Sequence, residues 1–316
     1  MTDEPRGREL IDRYRENYHI SRDAVLTEEM ILRHWQIEKE LTRALLESRP
    51  ENRWETFEEC YTRLYRELDW LNKLTGSEEE KKPRNSFNLL LQFIGTPPKK
   101  IYEIGSGRGE LIEFLSSRGY ECRASEITRE RGEKWSRQSN RISWGVSDGV
   151  HLDRFEPSCT YDCVISDQVI EHLHPDDIED HFKGVFSILK PGGKYIFMTP
   201  HAYGGPWDIS RIFNCNKPMG MHLKEYTFRE LALKLKKARF RQIYSPAASA
   251  KKALATLGKA IDSPILRWIY FQQVLVTESM LSLVADQHVR KKMFQRLSRL
   301  YLFPGSIRII AGKSDR

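Results

Sequence analysis

Residues 99–115 read KKIYEIGSGRGELIEFL: an apolar run, glycines at every second position, then apolar residues at helical spacing. The run Ile101–Ile104 has the composition of a buried strand, and Leu111, Ile112 and Leu115 recur as on one helix face. A turn carrying Gly105, Gly107 and Gly109 can adopt positive φ and has no Cβ to hold a ligand off the main chain. The next helix directs its free N–H groups into the same space. A dinucleotide fingerprint needs glycine three residues after Gly107; Glu110 stands there instead, and its charge would repel a pyrophosphate. The acid Glu103, two residues before the first glycine, can reach the ammonium of a bound amino-acid group.

Downstream the rhythm of strand, turn and helix repeats. KIYEI, ECRASEI, RISWGVS, YDCVISD and KYIFMTP read as strands, and RQIYSP and SIRIIAGK can be a sixth and seventh. The segments GELIEFLSSRG, TRERGEKWSRQSN and YTFRELALKLKKARF read as helices between them. Such alternation predicts an α/β fold with parallel pairing, helices on both sheet faces and a ligand crevice at the carboxyl ends of the strands. Upstream, TEEMILRHWQIEKELTRALLES and RWETFEECYTRLYRELDWLNKL carry helical periodicity. TGSEEEKKPR reads as a linker and NSFNLLLQFIG as a further helix ending at Gly95. The expected organisation is a helical region over 1–80, an α/β domain over 85–246 plus 305–314, and a helical insertion over 247–304.

Composition narrows the function classes. With 40% hydrophobic and 30% charged residues, the 316-residue chain reads as soluble and globular. The charged opening MTDEPRGRELIDRYREN lacks the apolar core of a secretory signal. PILRWIYFQQVLVTESMLSLVA, the most apolar stretch, is interrupted by Arg267, two glutamines and Glu278, so no transmembrane span is expected. Five cysteines, at 60, 122, 159, 163 and 215, form no CxxC pair, which argues against a zinc ribbon and suits a reducing, cytoplasmic setting. Charge is uneven: from Leu231 onward there are 17 lysines and arginines against 4 acids. That third could face nucleic acid, an acidic membrane surface or a phosphorylated substrate, or merely be a solvated helical face.

Glu126 closes the second strand, where a carboxylate can accept both hydroxyl protons of a ribose, and Asp148 in VSDG can receive an adenine amino group. Ile127 and Gly149 adjoin these two. Ammonium, ribose and adenine without a phosphate cradle describe S-adenosylmethionine. In EIGSGRG, SEI, SDG, YDCVISDQVIEHL and LKPGGKYIFMTP the chain resembles the class I S-adenosylmethionine-dependent methyltransferases, of the type-11, ubiquinone-O-methyltransferase-like kind. The resemblance implies a Rossmann-like sheet ordered 3-2-1-4-5-7-6 with the seventh strand antiparallel. It also implies S-adenosylmethionine as cofactor and Gln168 beside it.

Methyl transfer is an in-line displacement, so the protein chiefly aligns its reactants, and an acceptor with a proton to lose benefits from a base. Glu171, His172, His201 and His222 are the candidates, expected at the crevice. Tyr203, Trp207 and Arg211 are candidates for the acceptor wall. VIEHL also resembles the small-RNA 2′-O-methyltransferases, in which E-x-x-E-H with a later histidine holds a divalent metal. Gln168 replaces the first carboxylate of that pattern, which argues against a metal. The expected activity is methylation of oxygen or nitrogen on a small-molecule or sugar acceptor, in natural-product or glycan biosynthesis. The alternatives are an RNA 2′-O-methyltransferase, although no RNA-binding module or N/D-P-P-Y/F motif is found, and a non-catalytic cofactor-binding partner subunit. The helical regions are candidates for a homodimer interface.

Overall fold

The run after Lys99 forms an inner strand of a sheet in the computed structural model, which describes residues 4–75, 85–128, 140–246 and 264–315. Among these residues there are seven strands: β1 (Lys100–Ile104), β2 (Glu121–Glu126), β3 (Ile142–Val146), β4 (Tyr161–Asp167), β5 (Leu189–Pro200), β6 (Gln242–Tyr244) and β7 (Ser306–Gly312). They are ordered β3-β2-β1-β4-β5-β7-β6. Pairings across β3, β2, β1, β4 and β5 are parallel, and β7 runs antiparallel to both β5 and β6. This is the expected Rossmann-like order. The apolar segment SIRIIAGK does enter the sheet between β5 and β6.

Neighbouring strand residues point to opposite faces, and both faces are covered. On one, Ile101, Cys163, Ile165 and Ile310 pack with helices Asn85–Ile94 and Glu110–Ser117 through Ile94, Leu111 and Leu115. On the other, Tyr102, Val164, Phe197 and Ile309 meet Phe182 of helix Ile178–Ile188, Phe228 of helix Phe228–Lys237 and Phe271 of helix Pro264–Ser282. Each such side chain contributes about 2 kcal/mol by leaving water. Helix Ile178–Ile188 lies so close to the chain below it that a Cβ on Gly184 would stand 2.5 Å from the Val150 carbonyl oxygen.

The chain divides into two units: Met1–Lys82 with Gly205–Lys224, and Pro83–Gly204 with Glu225–Arg316. This differs from the expected organisation in two respects. The described part of the 247–304 insertion, helices Pro264–Ser282 and Gln287–Arg299, belongs to the α/β unit and supplies Phe271, Val274, Leu281 and Phe294 to its core. Residues 205–224, expected within the α/β domain, belong to the helical unit. There Phe213 stacks on Trp35 with ring centroids 4.8 Å apart, and Arg13 donates to Asn214 Oδ1 at 2.8 Å. The Met221 backbone N–H donates to Thr42 Oγ1 at 2.7 Å. The four helices of this unit are Gly7–Tyr18, Glu28–Glu47, Arg53–Glu67 and Asp69–Thr75, among the described residues. Thr27 caps the second of them, as its Thr-x-Glu sequence suggests. All of the linker expected at 75–84 but Thr75, and most of the polar helix expected at TRERGEKWSRQSN, lie outside the described residues. No described helix is long and apolar enough to cross a membrane.

Candidate active site

The turn after β1 is pinned at both ends. Ser106 N–H donates to the Ser125 carbonyl at 3.0 Å, and Gly109 N–H to the Ser106 carbonyl at 2.8 Å. Gly105 has φ +66, and a Cβ there would meet Val169 Cγ2 at 2.7 Å, so this glycine is required by the close approach of the chain after β4. Gly107, with φ +57, is different: a Cβ there would meet nothing within 4 Å among the described residues. Bare main chain here is left free by them for a ligand to use.

Glu103 lies behind that turn, 5% exposed, and its Oε2 has no hydrogen-bond partner among the described residues. Burial pushes its carboxyl up to about 8, and the nearby Asp167, Glu126 and Glu110 push the same way. Three further acids therefore surround the turn that Glu103 backs, a field that favours a cation and disfavours a diphosphate. At the end of β2, Glu126 Oε1 accepts from the Gly107 N–H, and Oε2 accepts from the Ile127 N–H at 3.4 Å. Asp148 caps its own turn: Oδ1 accepts from Val150 and His151 N–H at 2.8 and 2.7 Å, and Oδ2 pairs with His151 Nδ1 at 2.8 Å. The residues read from sequence as cofactor contacts, Glu103 through Gly149, therefore line the carboxyl ends of β1, β2 and β3.

One supporting residue escaped the sequence reading. His181, fully buried on helix Ile178–Ile188, bonds the Gly149 carbonyl through Nδ1 at 2.5 Å and the Tyr195 hydroxyl through Nε2 at 2.9 Å. Burial disfavours the charged ring, so with Nδ1 donating to the carbonyl the neutral ring's Nε2 accepts from Tyr195. Burial pushes its pKa down to about 4. The sequence offered only a histidine among the apolar positions of IEDHFKGVFSI.

After β4, Gln168 is exposed and takes a left-handed φ of 56°, a conformation seldom adopted by non-glycine residues and often found at functional sites. Its N–H donates to the Met198 carbonyl at 3.0 Å. The 3-10 turn Ile170–His172 follows. Glu171 is fully buried and accepts from Thr199 Oγ1 at 2.9 Å, while His172 beside it is partly exposed.

His201 must be corrected. It was expected to face the crevice, but it is fully buried among Phe228, Phe294 and Phe303. Nδ1 accepts from the Tyr203 N–H at 3.1 Å, leaving the proton on Nε2 for Glu278 at 2.8 Å. With its lone pair occupied, it has no free site for an acceptor's proton. Tyr203 is drawn the same way, its ring 4.9 Å from the Arg290 guanidinium. Trp207, Arg211 and His222 belong to the helical unit. Trp207 is 38% exposed with the Arg211 guanidinium 5.4 Å from its ring, a pair presented to solvent. His222 is buried near Asp208, whose carboxyl is raised by burial and lowered by that histidine.

A family described as a methyltransferase domain matches residues 76–245, more than half of the chain. Among solved structures, the chain is similar to a SAM-dependent methyltransferase from Archaeoglobus fulgidus at 20% identity and TM-score 0.48, covering 78% of this chain and 99% of that one. It is also similar to the 1,6-didemethyltoxoflavin-N1-methyltransferase of Burkholderia thailandensis, at 16% identity and TM-score 0.45 over 61% of this chain and 80% of that one. A third is phosphoethanolamine N-methyltransferase 2 of Haemonchus contortus, at 17% and 0.44 over 73% and 53%. None of these likenesses speaks to the acceptor. With its sheet order, its glycine turn and the family match over most of the α/β unit up to Ser245, the chain belongs to the methyltransferase-domain family, as a class I S-adenosylmethionine-dependent member.

Proposed function

We propose that the chain methylates an oxygen or nitrogen atom of a small-molecule or sugar acceptor. S-adenosylmethionine supplies an electrophilic methyl group on a sulfonium. The residues present fit that group, and the observation that supports the cofactor part of this reading is the buried Oε2 of Glu103, unpartnered among the described residues, behind the Gly107 turn that they leave open. An ammonium brought to Glu103 would complete its hydrogen bonding and favour its ionised form. Glu126 would turn a carboxylate oxygen to the ribose hydroxyls, and Asp148, already fixed by its turn, would offer its remaining lone pair to the adenine amino group. Ile127, Gly149 and Gln168 would flank the nucleoside.

His172 would take the acceptor's proton, since it is the partly exposed histidine of the turn after β4. Glu171, fixed by Thr199, would orient that turn. Gln168 offers a neutral amide where the E-x-x-E-H pattern has its first carboxylate, which weakens the case for a hard divalent cation; if no metal takes part, dialysis against EDTA should leave turnover unchanged.

The test is calorimetric titration with S-adenosylhomocysteine, followed by a methyl-transfer screen over phenols, amines, sugars and RNA. Binding, together with turnover of a small acceptor, would support the reading. His172→Ala should then lower turnover at least tenfold with unchanged cofactor affinity, as loss of a general base does. Transfer to RNA alone would overturn the acceptor class, and wild-type turnover in His172→Ala would remove that residue from the mechanism.

A further inference from the structure

Helix Pro264–Ser282 is apolar on two opposite faces. Phe271, Val274 and Leu281, with Glu278 among them, form the buried face. Ile265, Ile269, Val276, Met280 and, just beyond the helix, Leu283 recur at helical spacing on the opposite side and are 69, 49, 53, 64 and 84% exposed. Trp268 lies beside them at 59%. The helix Gln287–Arg299 continues the pattern with Val289 and Met293, and the following Leu300–Leu302 are exposed as well. Gln273 of the first helix donates to the Leu302 carbonyl at 3.2 Å, which joins the two exposed surfaces. Of the eighteen large apolar residues that are exposed among the described residues, twelve fall between Ile265 and Leu302. That concentration is not the scatter of a normal surface. A contiguous exposed patch of this kind marks an interface.

Charge identifies the occupant. Between Pro264 and Gly305 the sequence has Arg267, Arg290, Lys291, Lys292, Arg296 and Arg299 against Glu278 and Asp286, and Glu278 is turned into the core. Lys292, Arg296 and Arg299 are exposed beside the apolar stripe of their helix. A second copy placed on this face by a two-fold axis would bring these cations against themselves. Nucleic acid would satisfy the cations and leave the apolar side chains in contact with a phosphate backbone. A bilayer carrying anionic lipid satisfies both, with apolar side chains entering the acyl boundary and long basic side chains reaching the headgroups.

We propose that helices Pro264–Ser282 and Gln287–Arg299 dock the enzyme on the surface of an anionic membrane, lying in the interface without spanning it. The full chain should float with phosphatidylcholine–phosphatidylglycerol vesicles and not with phosphatidylcholine alone, and high salt should release it. Lys292→Glu/Arg296→Glu/Arg299→Glu should weaken that binding on the order of 100-fold. Ile269→Asp/Met280→Asp should abolish flotation. Both variants should bind S-adenosylhomocysteine like wild type, which shows that they fold. Trp268 should report entry by a blue shift on anionic vesicles that is missing in Trp268→Phe. A chain that floats with neither vesicle would overturn the proposal. So would equal flotation with both vesicle types, preferential binding to polynucleotide, or a dimer that Ile269→Asp/Met280→Asp dissociates.

Discussion

Glu103, at the carboxyl end of β1, and Glu278, in helix Pro264–Ser282, are buried to a similar degree, 5% and 2% exposed. Their surroundings are opposite. The Glu278 carboxylate accepts from His201 Nε2 and from the Phe228 and Arg229 N–H groups at 2.8, 2.7 and 2.8 Å, so it caps helix Phe228–Lys237 and closes a joint. Glu103 leaves Oε2 unpartnered in company with other acids. A buried carboxylate that is unsatisfied costs about 1–3 kcal/mol or more. The comparison separates a structural acid from one awaiting a ligand, and it also explains why His201, beside the satisfied acid, is part of the core.

The largest expected effect tests the satisfied side. Glu278→Ala would strip three donors, two of them buried, of their acceptor, and stability should fall by about 3 kcal/mol in urea titration. An unchanged midpoint would break the comparison. Next is Glu103→Gln, which should weaken S-adenosylhomocysteine binding by about 2 kcal/mol, roughly 30-fold, without loss of stability. Destabilisation with unchanged affinity would make Glu103 a second structural acid. Glu126→Ala should cost about 1–2 kcal/mol of cofactor affinity, since it removes both the ribose contact and the support of the Gly107 N–H.

Smaller effects come with pH, in opposite directions. Glu103 is held near 8 against an ordinary 4.5, so the native state keeps a proton that the unfolded chain has lost. Its contribution to stability is present below pH 4.5 and fades as pH rises toward 8. His181 is held near 4 against 6.5, so its contribution is present above pH 6.5 and lost as pH falls toward 4. Each slope should be at most about 1.4 kcal/mol per pH unit, measurable as a change in urea midpoint that His181→Gln or Glu103→Gln removes.

The sheet could be read from the chain because its apolar runs are short, bounded by turns and separated by helical spacing, as in KIYEI and YDCVISD. The glycine turn was also readable, but its division of labour was not: that Gly105 yields to Val169 while the described residues leave Gly107 free depends on a residue more than sixty positions away. His201 was misjudged for a similar reason. Its place after β5 is visible in TPHAYGG, whereas Glu278 reaches it from 77 residues downstream. The membership of 205–224 in the helical unit rests on Phe213 against Trp35, a pairing that no local pattern announces.

Proton release on cofactor binding tests the central claim most directly. S-adenosylhomocysteine should be titrated at pH 7 in two buffers of different ionisation enthalpy, with wild type and Glu103→Gln. If the ammonium ionises Glu103, wild type should release close to one proton per site and the variant almost none. Equal proton release from the two proteins would contradict the claim.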